Sequence, residues 1–312
     1  MAKMLSRVAP WLTSASQRGP APGAPASSAA GAGTGEHIRP LTDADTAALW
    51  SLVRPDPVAN VFMAAHLESA GTAGPTPSGA RILGYFDDGG ALAGACWAGV
   101  NVVPVGLDAG RGAQMGGFLA AANRHVSSIF GPAEGVLGIW STLQHSSARP
   151  FDIRPDQPLM ELRGTPAVAP DPDLRFSTAE DLEALIPACV AMFEEEVGYS
   201  PLAGGGAHYR QRVKSLIERG HSVLCRNAAG EVVFKAELGN VSADAVQIQG
   251  VWMNPAYRGQ GRAAACMAAV VELSRRYAPV ASLYVNDYNH RALAAYRRVG
   301  FEQVGTFATI LF

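Results

Sequence analysis

Lysine is nearly missing from this 312-residue chain: 22 of its 25 basic residues are Arg, and only Lys3, Lys214 and Lys235 are Lys. With 27 acidic residues the formal net charge is −2, so no global cationic footprint points to nucleic acid. The Arg excess, beside abundant Ala and Gly, reads as coding bias. Cysteine is scarce too: Cys96, Cys189, Cys225 and Cys266 are widely separated, with no CxxC and no His at ligand spacing. That excludes a zinc ribbon and a disulfide framework, and it makes the reducing cytoplasm the expected location. The seven His residues form no HExxH pair, so no metal site is expected, and no G-x-S-x-G elbow signals a serine hydrolase. No apolar run approaches the ~18 residues of a membrane span.

From Ser14 to Gly35, 19 of 22 positions are Ala, Gly, Pro or Ser. Such a segment buries too little apolar surface to offset its ordering entropy, so residues 1–35 are expected to be disordered. The apolar stretch Val8–Leu12 is interrupted by Pro10 and is too short for a secretory core. Ordered sequence begins near His37. Thr42, with Asp45 three residues on, predicts a capped helix over Ala44–Leu52. Ile82–Phe86 and Ala91–Val105 read as strands around the turn Asp87–Gly90. A helix over Gly116–Asn123, a strand over Val126–Phe130 and a helix over Val136–Leu143 follow. Arg163–Asp173, with three Pro, reads as a linker.

The second half repeats this order. Ser177 and Thr178 precede Glu180 and Asp181 and open a helix to about Glu195, followed by a helix over His208–Arg219. Strands are expected over Ser222–Arg226, Glu231–Leu238 and Ala245–Met253, then a helix over Arg262–Tyr277, a strand over Ala281–Val285 and a helix over His290–Val299. Two short strands, Glu302–Val304 and Phe307–Leu311, close the chain. The result is a mixed α/β protein with a suspected internal duplication.

Chemistry concentrates in Val251-Trp-Met-Asn-Pro-Ala-Tyr-Arg-Gly-Gln-Gly-Arg-Ala-Ala264. A strand ends at Met253, and Arg258-Gly-Gln-Gly-Arg-Ala263 leads into a helix. Gly259 and Gly261 let the backbone turn with its N–H groups converging, and the helix N-terminus adds partial positive charge, which together suit a diphosphate. Residues 254–298 hold seven Arg against Glu272 and Asp287, a local +5. The loop is neither a Walker A nor a GxGxxG fingerprint. After Ser282-Leu-Tyr-Val285 come Asn286-Asp-Tyr-Asn289, Ala292, Tyr296 and Gly300-Phe301. This pattern, about 25 residues after the Arg-Gly-x-Gly helix start, resembles the Gcn5-related N-acetyltransferase (GNAT) superfamily. The strings MFEEEVGYSP, VVFKAELG, VQIQGVW and SLYVNDYN resemble a bacterial subgroup with an extra N-terminal domain of unknown function.

The resemblance implies two acetyltransferase-like mixed-sheet domains in tandem: a degenerate one over 36–165 and an acyl-CoA-binding catalytic one over 166–312. It implies acetyl-CoA as co-substrate, a V-shaped opening between the strands ending at Met253 and Val285, and direct acyl transfer to the amine of a small molecule or peptide through a tetrahedral intermediate. Arg258, Gly259, Gln260, Gly261, Arg262 and Ala263 are implied to hold the pyrophosphate, Val251 and Met253 the pantetheine and acyl carbonyl, and Asn289 the pantetheine arm. Tyr296 is implied to protonate the departing thiolate; Asn289 as a mere helix cap and Tyr296 as mere core stay open. Either Glu196 or Glu237 is the expected base for the amine proton. The first half lacks the Arg-Gly-x-Gly loop, its nearest match being Ala109–Gln114. A non-catalytic acyl-CoA sensor or interaction module is the alternative. Nucleic acid is disfavoured because no aromatic stacking set accompanies the Arg, no membrane contact is expected, and a homodimer is carried as an expectation.

Overall fold

The computed structural model describes residues 37–122, 125–146, 149–203 and 205–312. The expectation for residues 1–35 lies outside them. The chain divides into two units: residues up to Asp156 together with Thr306–Phe312, and Gln157–Gly305.

Unit 1 begins with β1 (Ile38–Pro40), followed by α1 (Thr46–Val53), α2 (Val61–Ala70), β2 (Arg81–Phe86) and β3 (Leu92–Ala98). Then come β4 (Asn101–Val105), α3 (Ala109–Ala121), β5 (Ser128–Pro132) and α4 (Ala133–Leu143). Its strands lie in the order β1-β2-β3-β4-β5, antiparallel except for β4 beside β5. Alternate side chains feed two apolar layers. One holds Leu49, Met63, Ile82 and Ala95, and the other Met115, Ile129, Val136 and Ile139. The stretch expected as one strand over Ala91–Val105 is two, because Gly99 and Val100 turn the chain back on itself.

Unit 2 takes the second part of β6 (Asp152–Leu162), then β7 (Arg175–Phe176), α5 (Leu182–Val197), α6 (Ala207–Glu218), β8 (Ser222–Arg226) and β9 (Val232–Val241). It continues with β10 (Ala245–Met253), α7 (Arg262–Ser274), β11 (Val280–Tyr284), α8 (His290–Val299) and the start of β12 (Glu302–Leu311). The strand order is β6-β11-β10-β9-β8-β7, and β10 runs parallel to β11. The two closing strands expected from the sequence are one strand, whose Phe307–Leu311 pair with β5 and so belong to unit 1. The Pro-rich stretch expected as a linker is bound to unit 2 instead. Ala167 donates its N–H to Val299 O (2.8 Å) and Asp171 to Ala265 O (2.9 Å), which places the division ahead of residue 163.

The suspected duplication has a physical signature. Arg39, Thr42 and Asp45 recur at the same spacing as Arg175, Thr178 and Asp181. In each set the Asp accepts the Thr N–H at 2.8 Å in a capping box and a two-pronged Arg pair. Asp181 is buried and also meets Arg226 at 3.3 Å. The Arg175 hydrogen bonds, outweighing burial, hold its carboxyl down at about 2. A depressed folded-state pKa stabilises the native state above the unfolded value near 4. Asp181→Asn is therefore expected to cost about 2 kcal/mol at neutral pH. The difference from wild type should close as pH falls from about 4 to about 2. Urea melts of both proteins across that range check it.

Candidate active site

A fork opens between two parallel strands of unit 2. β10 and β11 pair only over Ala245–Gln247 and Val280–Ser282; beyond that they part, and β11 continues along β6. On its other side β10 pairs with β9, with a bulge between Gln249 and Trp252 where Gly250 has φ +56°. Val251 and Met253, expected to engage the pantetheine, lie on the stretch of β10 past the fork. The Met253 carbonyl accepts a hydrogen bond from Arg258 Nε at 2.8 Å.

The loop after β10 makes a short 3-10 turn over Pro255–Tyr257, capped by Asn254 Oδ1 accepting from Ala256 N–H at 3.0 Å. Arg258 closes the turn by donating its N–H to Pro255 O (3.2 Å), so that amide is already used. Gly259 and Gly261 both have φ +77°, and a Cβ built on either meets nothing within 4 Å. Gly261 is the N-cap of α7, whose first amides lack intrahelical acceptors. Open space, left-handed glycines and a helix N-terminus therefore coincide at one point, and the residues present fit a pyrophosphate. The side chains contribute less than their charge suggests. Arg262 turns to Asp171 (3.1 Å) and Cys225 (3.6 Å), while Gln260 Nε2 donates to Ala256 O at 3.0 Å. Asp171, Asp173 and Cys225 bring three potential ligand atoms within 4.8 Å, but the Arg262 guanidinium already supplies the cation there.

Arg258 shows what sequence reasoning missed. Its Nη2 donates to both Glu195 oxygens at 2.9 and 2.8 Å while its Nε is taken by the Met253 carbonyl, and Glu195 also accepts Trp252 Nε1–H at 3.2 Å. The middle carboxylate of Glu194-Glu195-Glu196 thus ties the end of α5 to β10 and the glycine loop. The two residues stand 63 positions apart, so no local spacing in the chain reveals the contact. The third carboxylate, Glu196, is exposed and lies close enough to act on Tyr296. The Tyr296 phenol is pushed well above its ordinary value, first by burial and then by the Glu196 charge. Tyr296 packs in the core with its ring 6.0 Å from Phe301. Asn289 caps α8, accepting Ala292 N–H at 3.2 Å, which leaves its amide nitrogen as the remaining donor.

Glu237 is engaged by cations instead. It is 1% exposed on β9 and is gripped by Lys235 Nζ at 2.6 Å and Arg212 Nη2 at 2.7 Å. Although burial alone favours the neutral acid, the two cations prevail and hold its carboxyl at about 2.

Residues 190–301 match the model of the acetyltransferase (GNAT) family. Unit 2 carries a GNAT-family domain. Residues 80–185 match a domain of unknown function, DUF4081, ahead of it. No curated protein matches the chain. Among solved structures, a GNAT-family acetyltransferase from Colwellia psychrerythraea superposes with TM-score 0.53 at 12% identity, over 88% of this chain and 99% of that one. A GCN5-related N-acetyltransferase from Sphaerobacter thermophilus gives 0.56 at 18%, over 88% and 94%. A tandem GNAT protein from the clavulanic acid biosynthesis pathway gives 0.51 at 15%, over 87% and 97%. At these identities the likeness is one of fold, and it spans both units: two GNAT-like mixed α/β units in tandem.

The first of these GNAT-like units has closed the place that the second keeps open. β4 and β5 part after Val102 and Ile129, as β10 and β11 do. Pro104 fills the gap, 3.4 Å from a Cβ built on Gly131 and 2.9 Å from one built on Gly135. The Ala109–Gln114 segment does sit where a cofactor loop belongs, just after β4, but its glycines lie inside α3 rather than before it. They serve packing instead: a Cβ on Gly112 would meet Gly135 O at 2.9 Å, and one on Gly138 would meet Ala109 O at 2.6 Å. Helix α4 therefore lies directly on the first turns of α3. The N-terminus of α3 is capped by the Asp108 carboxylate, which accepts Arg111 N–H at 2.8 Å and puts negative charge where a phosphate would need positive.

Proposed function

We propose that unit 2 transfers an acetyl group from acetyl-CoA to an amine of a small molecule or peptide. The observation that carries this reading is the coincidence of the β10/β11 fork with the open glycine cradle at Gly259 and Gly261. The pyrophosphate lies on the amides of Gly259–Ala263 and the first turn of α7. The pantetheine runs along the main chain of Val251 and Met253, with the Asn289 amide nitrogen facing it. Arg258 exchanges part of its contact with Glu195 for phosphate.

The amine attacks the thioester carbonyl, forming a C–N bond and a tetrahedral intermediate whose collapse breaks C–S. Glu196 accepts the amine proton and Tyr296 donates one to the CoA sulfur. The two steps reinforce each other. The negative charge on Glu196 holds the Tyr296 proton in place, and once Glu196 is protonated that restraint is gone, so the phenol becomes a stronger acid when the thiolate leaves. Glu237, with both oxygens taken by cations, is the poorer acceptor.

The deep burial of Tyr296 in the core favours a second reading, an acyl-CoA sensor without turnover. Screening purified protein and acetyl-CoA against amines, amino acids, polyamines and peptides, read by thiol release, separates the two: release above background with any acceptor supports the enzyme, and its absence with tight CoA binding supports the sensor. Because unit 1 has filled its fork, calorimetric titration is expected to give one CoA per chain. Two sites per chain would mean that the Pro104 plug and the Asp108 cap do not exclude the cofactor.

A further inference from the structure

The bulge of β10 rests on a buried ion cluster. In the register of the two strands Gln249 faces Glu237 and Trp252 faces Lys235, so Gly250 and Val251 together oppose Ala236. A Cβ built on Gly250 would lie 3.0 Å from Glu237 Cδ, 3.2 Å from its Oε1 and 3.2 Å from Lys235 Nζ. The ion pair therefore lies directly against the bulge, and a Cβ at Gly250 would press on it by a few tenths of an ångström from a backbone already at φ +56°, which favours glycine. Each carboxylate oxygen of Glu237 is held separately, Oε1 by Lys235 of the same strand and Oε2 by Arg212 of α6. Lys235 Nζ also reaches Cys189 Sγ of α5 at 3.5 Å, and Tyr209 of α6 donates to Cys189 O at 2.9 Å. Two helices and β9 thus fix one carboxylate against one turn of backbone.

Stability alone gives little reason for this arrangement. Taking three charges out of water is costly, and apolar residues of the same volume pack such sites at least as well. What the cluster supplies beyond packing is a defined position for the Gly250–Val251 main chain at the point where β10 leaves β11. We propose that Lys235, Glu237 and Arg212 are positioning residues that hold this main chain to receive the acyl carbonyl of the thioester. Glu237 acts through the bulge and not as the proton acceptor. The inference rests on the acyl-CoA reading of the fork.

The binding arms of the test need no acceptor, and only the Glu237→Gln arm uses one found by the thiol-release screen. With main-chain hydrogen bonds to the carbonyl, wild type is expected to bind acetyl-CoA about tenfold more tightly than CoA, which lacks that oxygen. Lys235→Met removes one ion, and Gly250→Ala approaches the same contact from the bulge; neither touches the glycine cradle. Calorimetry is expected to show CoA affinity kept within about threefold in each variant, with the preference for acetyl-CoA lost. Should Lys235→Met fail to fold, Gly250→Ala decides. A preference retained in a folded variant overturns the inference and leaves the cluster a structural element. Glu237→Gln separates the base role: loss of the preference supports positioning, whereas a kept preference with lost thiol release makes Glu237 the base and overturns it. Wild type binding CoA and acetyl-CoA equally overturns this inference alone, while wild type that binds neither overturns the acyl-CoA reading with it.

Discussion

Gly261→Val is expected to abolish acyl-CoA binding, a loss of at least about a hundredfold, in a protein that still folds. Gly261 sits at φ +77° and its neighbourhood is empty, so a valine clashes with nothing in the free protein. Its cost to the fold is the left-handed backbone, about 1–2 kcal/mol for an ordinary side chain and at the upper end for a β-branched one. The cost to binding is different in kind. The isopropyl group stands in the space a pyrophosphate must enter to reach the α7 amides, and the dihedral strain tilts those amides away. Gly230→Val is the control: it carries the same strain, at φ +84° and with equally open surroundings, in the turn after β8. Both variants should melt a few degrees below wild type. Only Gly261→Val should lose CoA in a calorimetric titration, and equal affinity in the two would refute the cradle.

Tyr296→Phe is expected to lower kcat by roughly ten- to a thousandfold, the range for loss of one positioned general acid. The ring contact with Phe301 and the packing of α8 are kept, so CoA affinity should change little. Burial and the Glu196 charge keep the phenol protonated across the neutral range, which is the form a proton donor needs. Steady-state kcat with an acceptor found by thiol release, beside CoA affinity for both proteins, checks this. A kcat within about twofold of wild type would leave Tyr296 as core alone. A collapse of affinity instead would make it a cofactor contact and assign the proton to solvent.

Local signals carried the second half of the chain. The glycines at 259 and 261, the Asn289 cap and the strand-to-helix order of unit 2 each depend on residues a few positions apart, so they could be read in order. Other elements were hidden by their own composition. β6 contains Pro155 and Pro158, which argue against a strand, yet Leu159–Leu162 pair with β11. Helix α2 gave no clear helical face, and α3 begins at Ala109 through glycines that disfavour helix until α4 packs on them.

By itself the sequence determined that a strand ends in a glycine loop fit for a phosphate and that Tyr296 follows on a capped helix. Tertiary structure alone decided how the carboxylates divide. Glu195 holds Arg258, Glu196 lies near the phenol, and Glu237 is locked between Lys235 and Arg212 under the bulge. It also decided that Pro104 and Asp108 close the first unit's fork. The reason is common to both: a charge's role and a cavity's opening depend on which distant groups reach the same point in space, and spacing along the chain does not record that.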